Sequence, residues 1–163
     1  MANALEAATG KRRNRRGLTL IELIVAFTVL LILTSMAVPL ARARLRAARE
    51  RDLRYALNDM RKAIDFYKDL CDGRKLGPQK ADTNCYPENL EQLVKGVRLP
   101  DAEGTQVRFL RHSPRDPMTG TFDWGMRSDR DDPRSMSWGG QCLFDVYTKS
   151  TEKGSDGAPY SEW

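Results

Sequence analysis

Glu22 is the one carboxylate at the head of a stretch that carries no other charge. From Leu23 to Ala41 the chain reads LIVAFTVLLILTSMAVPLA. An acid inside an apolar helix costs roughly 2.5–3.5 kcal/mol at mid-membrane and less near an interface, so a carboxylate there needs a partner or a purpose. Elsewhere the groups able to do covalent chemistry are few. The single histidine, His112, alternates with Leu110 at the end of an apolar–polar pattern, a surface position. Three cysteines, Cys71, Cys85 and Cys142, show no zinc spacing, and neither a Gly-rich phosphate loop nor a Ser/His/Asp order is present. Asp129, Asp131 and Asp132 lack the glycine and distant glutamate of an EF-hand loop. Interleaved with Arg127, Arg130 and Arg134, they read as a solvated, self-paired loop. The pattern is that of an interaction module, not an enzyme.

The elements that position Glu22 follow from composition. With Leu18, Leu20 and Ile21, the apolar run reaches the roughly 20 residues a helix needs to cross a bilayer core. It exceeds the 7–15 residue core of an ordinary secretory signal. The chain has 163 residues and a formal charge of +5, but Lys11, Arg12, Arg13, Arg15 and Arg16 in the first 17 residues supply most of it. The body is close to neutral, which argues against nucleic acid as a partner. Arg42, Arg44, Arg46, Arg49 and Arg51 follow the run, interrupted by Glu50 and Asp52. Directly after a span, such a segment suits headgroup contact or ion pairing between subunits better than DNA readout.

From Leu45 to Cys71 there is no Pro or Gly, and apolar residues recur at Leu53, Leu57, Met60, Ile64, Tyr67 and Cys71. Gaps of four and three make one helical stripe, and Asp72-Gly73 supplies a stop. A helix from Leu18 to about Leu70 would be roughly 80 Å long, apolar all round in its first half and amphipathic in its second. Beyond it, Pro87–Val94 reads as a short helix ended by Gly96. Alternation predicts three strands around Val107–Phe109, Phe122–Met126 and Cys142–Val146, with a turn at Ser113–Gly120. The fold class is α+β: a long N-terminal spine helix packed on a small three-stranded antiparallel sheet, with a short extra helix. Cys71 ends the spine and Cys85 ends the following loop, so a bridge between them would close that loop. Cys142, on a strand face with Phe144 and Val146, reads as a buried free thiol.

Arg16-Gly17-Leu18-Thr19-Leu20-Ile21-Glu22 resembles the processing site of type IV pilins and type II secretion pseudopilins. The resemblance implies a cut between Gly17 and Leu18 by a prepilin peptidase and N-methylation of Leu18. Glu22 then becomes the fifth residue of the processed chain, and Pro39 stands where the family often has a helix-kinking proline. The new ammonium on Leu18 lies one helical turn from Glu22, which can pair with it or with a neighbour's. In low dielectric such a pair acts as a register device for subunit addition.

The lower half resembles the major (G-type) pseudopilin. It shows Tyr86-Pro87 before a Leu-rich helix, Arg115-Asp116-Pro117-Met118-Thr119-Gly120 before an aromatic strand, and Phe144-Asp145-Val146-Tyr147 before a terminal Asp156-Gly157. That resemblance implies a pilin-like fold with residues 1–17 as a cleaved leader and 18–41 as the transmembrane half of the spine. Residues 42–72 are then its periplasmic half and 73–163 the globular domain. The N-terminus is expected in the cytoplasm, with a single pass of the inner membrane. Expected partners are copies of the chain in a helical filament, other pseudopilins, the peptidase and an inner-membrane assembly platform. Family members often bind calcium in the terminal loop. Here Glu152 and Asp156 are the oxygen ligands on offer, with Lys153 between them and without the family's Gly-rich acidic run. The alternatives are a type IV pilin or minor pilin, and a membrane-anchored periplasmic enzyme or binding protein, which leaves Gly17 and Glu22 unexplained.

Overall fold

The computed structural model describes Gly17, residues 19–100 and residues 104–163. The leader before Gly17, and Leu18 itself, lie outside the described residues. The chain divides into two compact units, Met1–Arg42 and Ala43–Trp163. Helix α1 runs Leu20–Asp72, 53 residues with Pro39 inside it. Its first part belongs to the first unit and is bare. The rest of α1 and every later element belong to the second.

In the second unit the stripe found in the sequence becomes the core. Leu53, Leu57, Met60, Ile64, Tyr67 and Cys71 are all buried, packed with Leu76, Leu93, Leu110, Trp124, Leu143, Val146 and Tyr160. Helix α1 ends with the Lys75 N–H donating to the Leu70 carbonyl at 2.9 Å and the Arg74 N–H to Cys71 at 2.8 Å. The left-handed residue of this terminus is Arg74, at φ 55, rather than Gly73. Cys71 is disulfide-bonded to Cys85, 14 positions further along the sequence, with Cα atoms 5.5 Å apart. A 3-10 turn, Ala81–Thr83, lies within the closed loop.

Helix α2, Leu90–Lys95, starts where the Asn89 side chain accepts the Gln92 N–H and ends at Gly96, φ 79. A Cβ at Gly96 would stand 2.3 Å from the Val107 carbonyl oxygen, so only glycine lets the next strand pass. That passage is an antiparallel pair, β1 (Val97–Arg98) with β2 (Gln106–Val107), in register Val97↔Val107. A second pair, β3 (Gly125–Arg127) with β4 (Asp145–Tyr147), has Met126 opposite Val146. A 3-10 turn, Tyr160–Glu162, closes the chain.

The α+β class stands, but the strands form two two-stranded sheets instead of one sheet of three. Two facts explain the split. The N–H groups of Phe109 and Leu110 both donate to the Leu93 carbonyl at 3.0 Å, so the chain after β2 is spent on α2 and cannot pair with β3. Between β2 and β3 the chain also passes Pro114 and Pro117, neither able to donate to a ladder. Pairing shifts to Val97–Arg98, a segment too short to show alternation.

The turn that precedes β3 is built on Asp116, fully buried. Its carboxylate accepts from Met118 N at 2.8 Å, Thr119 Oγ1 at 2.9 Å and Thr148 Oγ1 at 2.5 Å. The Arg115–Gly120 motif is therefore a buried clamp that ties this turn to the segment leaving β4.

Candidate processing and assembly site

Thr19 starts α1. Its carbonyl accepts from Glu22 N at 3.1 Å and Leu23 N at 3.2 Å, and its Oγ1 stands 3.4 Å from Glu22 N. Thr19-Leu20-Ile21-Glu22 has the spacing of a capping box, a signal that bears on the helix start as well as on processing. Glu22 is thereby held in the first helical turn, where the helix dipole favours an acid. Among the described residues its carboxylate has no hydrogen bond and no ion pair. Gly17 lies outside the helix, exposed, and a Cβ there would meet nothing within 4 Å. The fold itself makes no demand for glycine at this position.

The helix surface beyond Glu22 is apolar and uncovered. Its most apolar 18-residue window has mean hydropathy 2.5 and no part buried, which makes α1 long and apolar enough to cross a membrane. Exposure of its large side chains runs from 46% at Val38 to 78% at Leu20. The hydroxyls on this stretch turn inward. Thr28 Oγ1 donates to the Ile24 carbonyl, Thr34 Oγ1 to Leu30 and Ser35 Oγ to Ile32, at 2.7–2.8 Å. Such internal pairing is what a helix in hydrocarbon requires. Pro39 brings no N–H, so the Ser35 carbonyl loses its regular helical donor.

The decisive observation is a match at this same segment. Residues 12–38 match the family described as the prokaryotic N-terminal methylation motif. The motif, the signature of type IV pilin-like proteins, takes in Gly17, Thr19 and Glu22 and stops one residue short of Pro39. It points to a structural subunit processed by a prepilin peptidase. The chain has no match among curated proteins and none among solved structures.

The second unit carries the remaining sequence candidates. Glu152 and Asp156 are both exposed. Asp156 Oδ1 accepts the Ala158 N–H at 3.0 Å, closing its own turn. Cys142 is buried, its Sγ 3.3 Å from Asp129 Oδ1, and burial pushes the thiol pKa up. Phe144 departs from the expected face. It is 47% exposed and meets Tyr86 edge-on at 5.2 Å. The acidic loop is ordered by backbone more than by its arginines. Asp131 accepts from Ser128 N and Gly139 N, which hold its carboxyl below the usual range, and Asp132 accepts from Arg134 N. Arg127 turns away from that cluster to Asp145 and the Tyr147 ring.

Two residues escape a reading based on apolar periodicity. Arg46 and Glu50 continue the 4-3-4 spacing of Leu53 and Leu57, so the stripe begins in polar side chains, exposed at Arg46 and buried from Glu50 onward. Glu50 is only 7% exposed. The Ser155 hydroxyl and then the Tyr160 hydroxyl hold its carboxyl below the usual carboxylate range against the opposing effect of burial. A glutamate standing one turn before a leucine stripe, four residues after an arginine, is the signal that was there to find.

Proposed function

We propose that the chain is a major-type pseudopilin, a subunit that is cut after Gly17, methylated at Leu18 and polymerised into a periplasmic pseudopilus of a type II secretion machine. The observation that carries this reading is the continuity of the methylation motif with the bare apolar first part of α1, whose one acid, Glu22, has no partner among the described residues. In a filament each bare helix finds hydrocarbon-like surroundings in the helices of its neighbours, and a carboxylate buried there needs a cation. The methylated ammonium of an adjacent subunit is the cation that processing creates. Other pseudopilins and an inner-membrane assembly platform complete the set of partners, with the globular unit on the periplasmic side. The ordered motifs of the lower half favour a G-type subunit over a type IV pilin, the second reading.

The test is mass spectrometry of the N-terminus from cells with an active prepilin peptidase. A chain beginning at methylated Leu18 is the expected result; an intact Met1 refutes it. Since Gly17 meets nothing in its own fold, Gly17→Ala should leave the fold intact and block the cut. Secretion with and without the gene then separates a pseudopilus from a pilus.

A further inference from the structure

The terminal loop Glu152–Tyr160 is where the resemblance expects calcium, and the donors present do not fit a calcium shell. Calcium takes six to eight oxygens. Here four backbone carbonyls between Glu152 and Ala158 are turned onto protein donors. The Glu152 carbonyl accepts from Tyr160 N at 3.1 Å, the Gly154 carbonyl from Gly157 N at 3.0 Å, and the Ala158 carbonyl from Gly154 N at 2.7 Å. The Lys153 carbonyl accepts from the Arg46 guanidinium, so a divalent ion drawing on that oxygen would stand beside a fixed positive charge. Asp156 serves the Ala158 N–H. Among the described residues, no three His, Cys, Asp or Glu side chains converge on a point.

What gathers the loop comes from one turn of α1. Arg46 donates to the Lys153 carbonyl, and its Nε stands 3.4 Å from the Tyr160 hydroxyl. Glu50 takes the opposite polarity. It accepts from Ser155 N at 2.9 Å, Ser155 Oγ at 2.5 Å and Tyr160 Oη at 2.9 Å. Arg46 and Glu50 are themselves paired at 3.4 Å. Tyr160, almost wholly buried, stands between them and meets Trp163 edge-on at 4.9 Å. A cation can collect only oxygens. This pair collects an oxygen at one end and an N–H at the other, and the loop presents both.

We infer that Arg46 and Glu50 order the terminal loop in place of a divalent cation, so that its closure is built into the spine helix and needs no calcium. The inference concerns the loop alone and does not depend on which filament the chain builds. Hydrogen–deuterium exchange of the full chain in detergent micelles tests it, read on peptides covering 150–163 with millimolar calcium and with excess chelator. Calcium should change protection of the Gly154, Ser155 and Tyr160 amides by less than about twofold. Glu50→Ala should speed their exchange about tenfold or more, while peptides covering 53–71 keep their protection. Should Glu50→Ala also expose α1, Ser155→Ala and Arg46→Gln read the same contacts without emptying a buried position, each expected to speed loop exchange about threefold or more. Loop protection that appears only with calcium overturns the inference. So does protection that none of the three substitutions reduces.

Discussion

Replacing Asp116 with alanine should cost the globular unit about 3–5 kcal/mol, a large part of the 5–15 kcal/mol that holds a typical domain together. The carboxylate accepts three hydrogen bonds from within a fully buried position. Its partners do not lose equally. Thr119 Oγ1 keeps Thr121 Oγ1 at 2.9 Å and is near solvent. Thr148 Oγ1 is fully buried and continues to accept from Ser150 N, but its own proton has nowhere to go. Met118 N is left without an acceptor. A buried donor without a partner, as at Thr148, costs about 1–3 kcal/mol, and the half-buried Met118 N–H with the lost side-chain volume brings the total to the figure above. Asp116→Asn keeps one oxygen for Met118 N and should cost about 1–2 kcal/mol. Urea unfolding of the micelle-bound chain, followed by near-ultraviolet circular dichroism, measures both. Combining Asp116→Ala with Thr148→Val removes the stranded donor as well, so the double variant should recover about 1 kcal/mol or more of the summed loss. A cost below about 1 kcal/mol for Asp116→Ala, or strict additivity in the cycle, refutes this account of the turn.

Opening the Cys71–Cys85 bridge by a double Cys→Ser change should cost about 3 kcal/mol for a loop of this length, seen as a lower urea midpoint; Cys142 should resist thiol reagents until the chain unfolds. Glu22→Val should leave insertion and cleavage intact and abolish filaments seen by electron microscopy; normal filaments would remove the pairing role. Glu50 has a lowered carboxyl pKa, so its contribution to stability is complete above the ordinary carboxylate value of about 4.3 and is lost as pH falls through the lower folded value. Urea midpoints measured downward from pH 6 should show that acid-side decline in the native chain and a weaker one in Glu50→Gln.

The parts of the molecule that were legible in sequence are those governed by a single local period. The stripe from Leu53 to Cys71 is helical at 3.6 residues per turn wherever it packs, and the run from Leu23 to Ala41 is apolar whatever surrounds it. The sequence pattern points to a short helix at Pro87–Val94, and the helix forms at Leu90–Lys95 because Asn89 caps it. The strands were harder to place, since β1 and β2 are two residues each and too short to alternate. Their pairing is decided by where Phe109 and Leu110 spend their N–H groups, a long-range fact with no periodic trace. At the candidate site, Gly17 and Glu22 were readable because they fall together in one short motif at the head of an apolar run. Arg46 and Glu50 were not, because their partners in the terminal loop, Lys153, Ser155 and Tyr160, lie more than a hundred residues away.

The uncovered half of α1 also sets a rule of transit. Thirteen large apolar side chains between Leu20 and Leu40 face outward. Bringing them into water would cost on the order of 20 kcal/mol, far more than the folding free energy of the unit they are attached to. No subunit can therefore make the passage out of a bilayer alone and survive as a free species in solution. Under the proposed function its departure would be a transfer between two non-aqueous phases, lipid on one side and a bundle of like helices on the other. In the filament proposed above the two would have to be in contact when it happens, which would fix the place of growth at the membrane surface and make the route back into lipid as dry as the route out.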